Sequence, residues 1–420
     1  MRQNQPNSNV QISKVTPDKF LKRACEIARQ GWGQPAFYNT DELIQELVNQ
    51  GKSLVDARNA GCSGCVETGA WGTEAYWLTG YLNIPKCLQL ALYDGYDVMF
   101  KKQIGPHTGK AEDFKSYDEL WNAFKTQLEY IIDVKMRGNL VIERIYAEMM
   151  PAPFLSICTD DCIKKGKDYN AGGARYNTSY IQGVGIGTIS DALSSIKFNV
   201  FDNQKFTMKE LIDAMNDDIL NLVKNKTPKY GNDDDYADDI MVSVFNEYKD
   251  YITGRPTTRG GVYHVDMLPT TCHVYFGDVM IASPNGRLAH IPLSEGISPE
   301  KGADINGPTA VVKSCSKMNH CETGGTLLNQ KFTPAAIAGE KGIDNLAALI
   351  RSYFAMNGHH MQFNVIDRQT LIEAQKNPEE YKELIVRVAG YSDYFRNLDK
   401  PLQNEIIERT EQSFGGCGCC

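Results

Sequence analysis

The chain has 420 residues, of which 42% are hydrophobic, enough to bury a sizeable core. Its 44 basic and 52 acidic residues give a formal net charge of -8, which argues against nucleic acid and anionic membranes as partners. No apolar run approaches the roughly 20 residues of a membrane span, and the polar start MRQNQPNSN lacks a signal-peptide pattern. Twelve cysteines without a secretion signal are typical of reduced thiols, so we expect a soluble, cytoplasmic protein.

The N-terminal region predicts two helices ahead of a glycine-rich loop. Residues 1–13 are polar, and we expect them to be flexible. Thr16 is a helix N-cap candidate followed by proline at the first helical position, so a helix is expected from there to about Gln30. A second helix is expected over 40–49, and Gly51 ends it. These two helices lead directly into the loop.

The loop GCSGCVETGAWGTEAYWLTGY, residues 61–81, places a thiol two positions before a carboxylate. If the segment is extended, Cys65 and Glu67 point to the same face and converge on one cavity. The surrounding glycines allow a tight loop tip that can approach a substrate closely. The alternative is a buried cysteine beside a surface glutamate. Cys62 and Cys65 form a C-x-x-C pair, but no second close pair completes a zinc site, so we predict no metal.

The middle of the chain predicts helices that alternate with strands and glycine-rich turns. A long helix is expected to begin at the capping box of Ser116 and Glu119 and to run to Met150, with a break at Gly138. The run GVGIG lacks the Lys-Ser/Thr of a P-loop, so we expect a tight strand-to-helix turn there. The other expected elements are a helix at 85–93, a helix opened by Thr207 and Glu210, a helix start or solvated acidic face at 231–239, a buried strand at 267–277, a helix at 343–357, turn residues His359 and His360, and a strand at 361–367.

Further along the chain, LIVRVAGYSDYF, residues 384–395, places Gly390 between an alternating apolar run and an aromatic turn. Taken alone, this pattern is typical of a strand ended by a glycine turn. Together with SGCVETG, and with ASPNGR, GPTAVVKS and GTLLNQKF in this order between them, it resembles the glycyl radical enzymes over nearly the whole chain. In that family a backbone glycine stores a radical and passes it to a cysteine thiol. The resemblance implies that Gly390 and Cys65 fill these two roles.

The resemblance also implies an α/β fold, namely half of a ten-stranded α/β barrel followed by a C-terminal glycyl radical domain. The chain is roughly half the family's usual length. Either a separate N-terminal half-chain supplies the first half-barrel, or the chain is truncated and cannot close its pocket. The expected units are a flexible N-terminus (1–13), a half-barrel with the catalytic cysteine loop (14–331), a glycyl radical domain (332–414) and a disordered Cys-rich tail (415–420).

The residues around the thiol indicate the kind of reaction. The sequence Cys65-Val66-Glu67 resembles the eliminases and decarboxylases of the family, whereas the pyruvate formate-lyases use two adjacent cysteines. The wider run SGCVETG…GTEAYWLTGYLNIPK resembles the dehydratases of the family, and this resemblance implies loss of water from a small hydroxylated substrate. The expected reaction converts trans-4-hydroxy-L-proline to pyrroline-5-carboxylate, with Glu67 assisting loss of the 4-hydroxyl.

Two further residues are expected to bind the substrate, Tyr81 and Thr271. The chain departs from the expected pattern at Trp71 and Thr73, where a phenylalanine and a lysine would be usual. These departures leave alternatives open within the family, an arylacetate decarboxylase or a diol dehydratase. A non-catalytic half-chain that needs or regulates a partner is the alternative from a different functional class.

The family resemblance determines the expected cofactor and partners. The cofactor is a glycyl radical on Gly390, installed by a radical S-adenosylmethionine activating enzyme with an iron–sulfur cluster. No metal is expected to be bound by this chain. A homodimer is a further expectation. The thiols of Cys417, Cys419 and Cys420 lie in the expected disordered tail, where exposure sets their reactivity.

Overall fold

The protein is described by a computed structural model that covers residues 7–63, 65–213 and 219–414. Residues 1–6 of the predicted flexible N-terminus, Gly64 and the Cys-rich tail lie outside these ranges. The strands are β1 (Asn9–Ile12), β2 (Ala36–Asn39), β3 (Gly61–Cys62), β4 (Thr68–Gly69), β5 (Glu74–Asn83), β6 (Tyr96–Asp97), β7 (Lys102–Gln103), β8 (Tyr176–Val184), β9 (Tyr263–Asp266), β10 (Asn329–Phe332), β11 (His360–Val365), β12 (Ile385–Arg387), β13 (Ser392–Tyr394) and β14 (Glu411–Gln412).

Helices occupy most of the chain between these strands. They are α1 (Asp18–Ala28), α2 (Thr40–Asn49), α3 (Leu54–Arg58), α4 (Ile84–Leu92), α5 (Tyr117–Met149), α6 (Pro153–Cys158), α7 (Cys162–Lys165), α8 (Ile186–Ile196), α9 (Met208–Asp213), α10 (Ile219–Asn225), α11 (Asp235–Ile252), α12 (Cys272–Asp278), α13 (Pro308–Ser316), α14 (Gly339–Ala355), α15 (Arg368–Lys376) and α16 (Lys400–Glu408). None of the described helices is both long and apolar enough to cross a membrane.

A five-stranded mixed sheet joins the two ends of the described chain. Its order is β1-β2-β11-β10-β14, and every neighbouring pair is parallel except β11 and β2. The three inner strands are buried along their whole length, so their polar side chains must find partners inside the protein. Several of these side chains hold the functional loops described below.

A three-stranded parallel sheet has the order β5-β8-β9. Backbone hydrogen bonds link it to the strand region that leads into β10. Gly324 N donates to Val265 O at 2.8 Å, and Met267 N donates to Gly325 O at 2.9 Å. A side chain at Gly324 would overlap the ring of Tyr180, so the close approach requires glycine. The protein therefore has an α/β fold in which the two sheets are connected at this point.

The main core lies where helices cover the parallel sheet. Helix α8 is buried along its whole length and starts directly after β8, where Gly185 has φ +87°. This confirms the predicted strand-to-helix turn at GVGIG. Core side chains from α4, α5, α8, α11 and β8 include Leu88, Phe124, Leu193, Val244 and Ile181. A second, smaller core lies between 366 and 407 and packs around the hairpin β12–β13.

Most predicted elements are present, but several differ from expectation. The long helix α5 passes Gly138 without a break. The strand predicted at 267–277 is wrong, because β9 ends at Asp266 and Thr270 has φ +50°, a turn conformation that strands do not contain. Helix α12 follows instead. In the N-terminal segment predicted to be flexible, residues 9–12 form β1, which pairs with buried β2.

Local capping chemistry explains several helix starts. Thr207 and Glu210 exchange the two hydrogen bonds of a capping box. The acidic run at 231–239 contains the start of α11, with Asp234 as its N-cap. Of the two histidines predicted in a turn, His359 lies directly before β11, whereas His360 is the first residue of that strand. His360 belongs to the strand because it pairs with Tyr38 of β2 in the antiparallel register.

Candidate active site

Cys65 lies at the tip of a short antiparallel hairpin formed by β3 and β4. Ser63 N donates to Glu67 O at 2.8 Å and closes the tip. The Ser63 hydroxyl donates to the Glu67 carboxylate and accepts from Cys65 N, at 3.2 Å for the second contact. Val66 N also donates to Glu67 Oε2 at 3.2 Å. Glu67 is only 6% exposed, so it is a loop-ordering carboxylate inside the protein and not a surface residue.

Gly390 lies in the turn between β12 and β13 with φ +86°. A Cβ built at this position would lie 2.6 Å from both Sγ and Cβ of Cys65. Since the Cα–Cβ bond is about 1.5 Å, the Gly390 Cα lies within roughly 4 Å of the thiol sulfur. The two predicted radical residues, 325 positions apart in sequence, are therefore in van der Waals contact.

Side chains from β10, β11 and the segment after α16 hold the Gly390 hairpin. Asn364 on β11 donates to Arg387 O at 2.7 Å and accepts from Arg387 N at 2.8 Å, which imitates strand pairing. Asn329 on β10 donates to Val388 O at 3.2 Å. Arg409 after α16 donates to the same oxygen at 2.9 Å. The hairpin is thus tied to the five-stranded sheet and to the last helix.

A fully buried arginine lies beside the two radical residues. Arg387 donates through Nε to Gln362 Oε1 at 2.6 Å and through Nη1 to Asn7 Oδ1 at 2.9 Å. The Asn7 amide in turn donates to Gly390 O at 3.0 Å. Burial lowers the pKa of Arg387, and the neighbouring Tyr38 and Cys65 oppose that shift. Arg387 is therefore connected to the Gly390 carbonyl through hydrogen bonds to Asn7, and it interacts electrostatically with the Cys65 thiol.

The surroundings of Cys65 keep it a thiol. Burial, and then the charge of Glu67, raise the pKa of Cys65 to about 12, while Arg387 acts in the opposite direction. A hydrogen-atom donor needs an intact S–H bond, whereas a metal ligand or a polar nucleophile needs the thiolate. The site therefore suits hydrogen-atom transfer better than nucleophilic catalysis.

The two residues predicted to bind substrate lie on neighbouring segments. The hydroxyl of Tyr81 and Oγ1 of Thr270 are 2.8 Å apart. Thr271, the predicted residue, is the N-cap of α12 and its side chain makes no capping hydrogen bond. Burial raises the pKa of Tyr81, and Cys272, Glu67 and Cys65 raise it further. Thr270, rather than Thr271, is the direct partner of Tyr81, and its strained φ is not visible in the sequence.

A buried acidic group near Glu67 was missed from the sequence. Asp266 at the end of β9 accepts from the Tyr76 hydroxyl at 3.0 Å. Burial, and then the charge of Glu67, raise the pKa of Asp266 well above its ordinary value. The Tyr76 ring stacks on Tyr180 at 4.0 Å between centroids. The only sequence signal was an acidic residue at the end of a β-rich segment, where catalytic loops commonly begin.

One further group could in principle hold a metal. Glu42 and Glu46 on α2 and His359 before β11 place potential ligand atoms within 4.8 Å of one another, and all three are buried. The sequence predicted His359 as a turn residue. The i, i+4 spacing of the two glutamates on α2 was the available signal, but it does not reveal a histidine more than 300 residues away.

Comparison with known proteins identifies relatives over the whole described site. The family profile "Pyruvate formate lyase-like" matches residues 1–277, and the profile "Glycine radical" matches residues 293–396. The curated trans-4-hydroxy-L-proline dehydratase of Clostridioides difficile is 66% identical over 98% of this chain and 53% of its own length.

Solved structures give the same picture. The crystal structure of hydroxyproline dehydratase from Clostridioides difficile with trans-4-hydroxy-L-proline bound has a TM-score of 0.97 and 65% identity, covering 98% of this chain and 53% of that chain. The glycerol-bound B12-independent glycerol dehydratase from Clostridium butyricum has a TM-score of 0.94 and 44% identity, covering 98% and 53%. The chain spans about half the length of the curated relatives it matches.

Proposed function

Because this chain belongs to the glycyl radical enzyme family, we propose that it is the catalytic half of a dehydratase that converts trans-4-hydroxy-L-proline to pyrroline-5-carboxylate. The observation that carries the proposal is the contact between Gly390 and Cys65, with buried Glu67 two residues further on. The 66% identity to trans-4-hydroxy-L-proline dehydratase supports the choice of substrate.

In the proposed mechanism, Gly390 stores the radical at its Cα. A glycine radical is delocalised over the adjacent amide nitrogen and carbonyl, and no side chain hinders the planar geometry. Gly390 takes the hydrogen atom from the Cys65 S–H bond, which restores the glycine C–H bond and leaves a thiyl radical. The short approach of the two residues and the raised pKa of Cys65, which preserves the S–H bond, both support this step.

The thiyl radical then removes the hydrogen atom from the substrate carbon next to the ring nitrogen, and Cys65 becomes a thiol again. The resulting carbon radical expels the hydroxyl group from the neighbouring carbon. Glu67 takes a proton from the ring nitrogen and passes it to the departing hydroxyl group, which completes the water molecule and leaves Glu67 a carboxylate. A carbon–nitrogen double bond forms, and the radical moves to the former hydroxyl-bearing carbon. Cys65 returns its hydrogen atom there.

We assign proton transfer to Glu67 and substrate contact to Tyr81 and Thr271. Glu67 is suitably placed because Ser63 Oγ–H and Val66 N–H both donate to its Oε2, which orients the carboxylate. Tyr81 projects from β5 towards the segment that includes Thr271, and its hydroxyl contacts the preceding Thr270. The Tyr81–Thr270 pair would form one wall of the substrate pocket.

We further propose that a complementary segment completes the barrel and the pocket, carried by a separate N-terminal half-chain. Two features of the described structure support a missing neighbour. The ten-residue strand β5, which follows the Cys65 loop, is an edge strand. Next to it, α5 and α6 carry an apolar face, with Met149 74% and Phe154 75% exposed. Exposed apolar surface of this extent marks an interaction site.

The remaining partners follow from the family. A radical S-adenosylmethionine activating enzyme would install the radical, since the chain has no CX3CX2C arrangement of its own. We place the protein in the cytoplasm, in agreement with the free cysteines throughout the described residues. Homodimer formation remains a prediction from the sequence.

The decisive experiment combines the chain with the complementary half and an activating enzyme under anaerobic conditions. Electron paramagnetic resonance should detect a glycyl radical, and product analysis should detect pyrroline-5-carboxylate from trans-4-hydroxy-L-proline. Cys65→Ser should keep the radical and lose the product. Brief exposure to air should cleave the backbone at Gly390, which mass spectrometry locates. An intact chain after air exposure, with the radical demonstrated beforehand, would remove Gly390 from its role.

Diol dehydration is the second candidate, because the glycerol dehydratase of Clostridium butyricum is 44% identical to this chain. The resemblance leads us to expect phenylalanine at the position of Trp71, which is 41% exposed. This departure keeps the alternative substrates open. Competition assays with hydroxyproline, glycerol, propane-1,2-diol and an arylacetate separate the alternatives. A radical without turnover of any of them would indicate a half-chain without catalytic function of its own.

A further inference from the structure

Three buried ionisable side chains, His359, Glu42 and Glu46, form a cluster that contacts the backbone of the Cys65 loop. His359 Nδ1 lies 2.7 Å from Glu42 Oε2 and 3.4 Å from Glu46 Oε2. On the opposite side of the ring, Nε2 lies 3.0 Å from the carbonyl oxygen of Val66, the residue after Cys65. Neither glutamate nor the histidine has a part in the chemistry proposed above.

The contacts determine where His359 carries its protons. The Val66 carbonyl can only accept, so Nε2 must donate to it. Nδ1 and the nearest Glu42 oxygen are at hydrogen-bond distance, so a further proton lies between them. Burial, and then the charge of Glu42, raise the pKa of Glu46 well above its ordinary value. Besides the proton on Nε2, at least one further proton is therefore shared between Nδ1 of His359 and the two carboxylates. This arrangement keeps Nε2–H as the donor to the Val66 carbonyl.

The neighbouring carbonyl is held in the same way. The hydroxyl of buried Tyr38 donates to the carbonyl oxygen of Cys65 itself. Tyr38 belongs to β2, and His359 directly precedes β11, where His360 pairs with Tyr38 in the antiparallel register. Two consecutive carbonyls of the thiol loop are thus anchored to adjacent strands of one sheet.

We propose that His359 is a positioning residue for Cys65, whose Nε2–H, oriented by Glu42 and Glu46, keeps the thiol against Gly390. The inference rests on the proposed hydrogen transfer between Gly390 and Cys65. A hydrogen atom moves only over a short distance, and a misplacement of about 1 Å can slow a reaction by about a hundredfold. The clamp acts on the backbone carbonyls of Cys65 and Val66, and so fixes the position of the thiol relative to Gly390.

A divalent metal is the competing explanation of the same cluster. A metal holds nitrogen and oxygen ligands at about 2.0–2.2 Å from itself, which keeps the ligand atoms about 3 Å or more apart. The separation of 2.7 Å between Nδ1 and the Glu42 oxygen is that of a hydrogen bond. A shared proton therefore fits the geometry better than an ion, and metal analysis is one arm of the test.

Two substitutions of His359 separate its two nitrogens. His359→Gln places an amide N–H near the position of Nε2 and can still donate to the Val66 carbonyl. His359→Asn reaches only as far as Nδ1, so it keeps the contact with Glu42 and loses the donor to the loop. Tyr38→Phe removes the second anchor. The matched control is His360→Gln, an adjacent and equally buried histidine whose ring nitrogens make no contact with the loop among the described residues.

The primary measurement is hydrogen exchange of the peptide covering residues 61–72 in the unactivated chain, together with the alkylation rate of Cys65. His359→Asn and Tyr38→Phe should accelerate both by about tenfold, as expected for loss of one buried hydrogen bond. His359→Gln and His360→Gln should stay within about twofold of the unmodified protein. Circular dichroism and the thermal midpoint identify variants that fail to fold.

In the activated and assembled enzyme, His359→Asn should lower kcat and leave KM unchanged, and His359→Gln should restore kcat. Equal loop protection in His359→Asn and His359→Gln would overturn the proposal. The proposal would also be overturned if metal analysis found zinc or manganese in a 1:1 ratio to the protein and Glu46→Gln removed it. If the unmodified enzyme produces no product, the proposed function fails, while the exchange data on the unactivated chain still decide the role of His359.

Discussion

Gly390 approaches Cys65 so closely that there is no room for a side chain at position 390. At Gly390 the constraint is double, because φ is +86° and the position of a side chain is occupied by the thiol. Glycine at 390 is therefore required by local packing, and the proposed mechanism requires it for radical stability as well.

Gly390→Ala tests the packing part of this argument. The left-handed conformation alone should cost roughly 1–2 kcal/mol, and the overlap with Cys65 should add to that cost. Gly254→Ala is the matched control, since Gly254 has φ +83° and no described atom lies within 4 Å of the place that a Cβ would take there. Denaturant unfolding should show a distinctly larger loss of stability for Gly390→Ala. Equal losses would mean that the contact with Cys65 relaxes without cost.

Glu67→Gln should lower the pKa of Cys65 from about 12, because the charge of Glu67 is the second cause of its elevation after burial. The pH profile of Cys65 alkylation, followed by mass spectrometry, should shift to lower pH in this variant. Glu383→Gln, at an exposed position, is the control and should leave the profile unchanged. An unshifted profile in Glu67→Gln would mean that burial alone keeps the thiol protonated.

The elevated thiol pKa also predicts the pH dependence of stability. The folded thiol titrates near pH 12, above the value of about 8.5 for an unfolded cysteine. The unfolded chain therefore loses this proton first. The contribution of Cys65 to stability is complete below about pH 8.5 and declines as the pH rises towards 12. Cys65→Ser should weaken that alkaline decline in the free energy of unfolding, and an unchanged decline would contradict the assignment.

At the scale of elements, the hairpin β12–β13 depends on side chains from other strands. Asn364→Leu removes both hydrogen bonds to the backbone of Arg387 and should loosen the hairpin by about 1–3 kcal/mol. Hydrogen exchange of residues 384–395 should rise while the main core stays protected. Asn397→Ala is the control, because Asn397 is exposed and contacts only Asp393 among the described hydrogen bonds. A uniform rise over the whole chain would show that the hairpin does not open independently.

The sequence predicts those elements whose signals are local. Helix α2 was predicted with its observed bounds, and the caps at Ser116 and Thr207 were recognised from residues three positions apart. The strand predicted at 267–277 failed because a non-glycine residue, Thr270, adopts a left-handed conformation that tertiary structure imposes.

The candidate site shows the same division between local and distant information. Cys65, Glu67 and Gly390 were recognised through motifs, and the structure brings Cys65 and Gly390 into contact. Asp266 and His359 were missed because their importance arises from partners far away in sequence. A buried polar residue without a motif carries no sign of its partner until the chain is folded.

At the scale of the whole molecule, the apolar face on α5 and α6 predicts where the proposed complementary segment would bind. A double substitution, Ile142→Glu with Phe154→Glu, should weaken association with that segment by at least about tenfold, since burying two charges without partners is costly. Ile305→Glu is the control, because Ile305 is exposed elsewhere on the chain. Isothermal titration calorimetry with the purified N-terminal half gives the affinity. Unchanged binding in the double variant would place the interface on another face.

The position of Gly390 also distinguishes its two Cα hydrogens, because only one of them faces the Cys65 thiol. The direction of an L-side chain at this residue points at the sulfur of Cys65, and in glycine that direction is occupied by the pro-S hydrogen. Hydrogen exchange with the thiol should therefore be stereospecific. Protein labelled with (2S)-[2-²H]glycine should lose deuterium from Gly390 during turnover, and protein labelled with the (2R) form should retain it. The fold thus gives a handedness to a carbon atom that has none in its covalent structure.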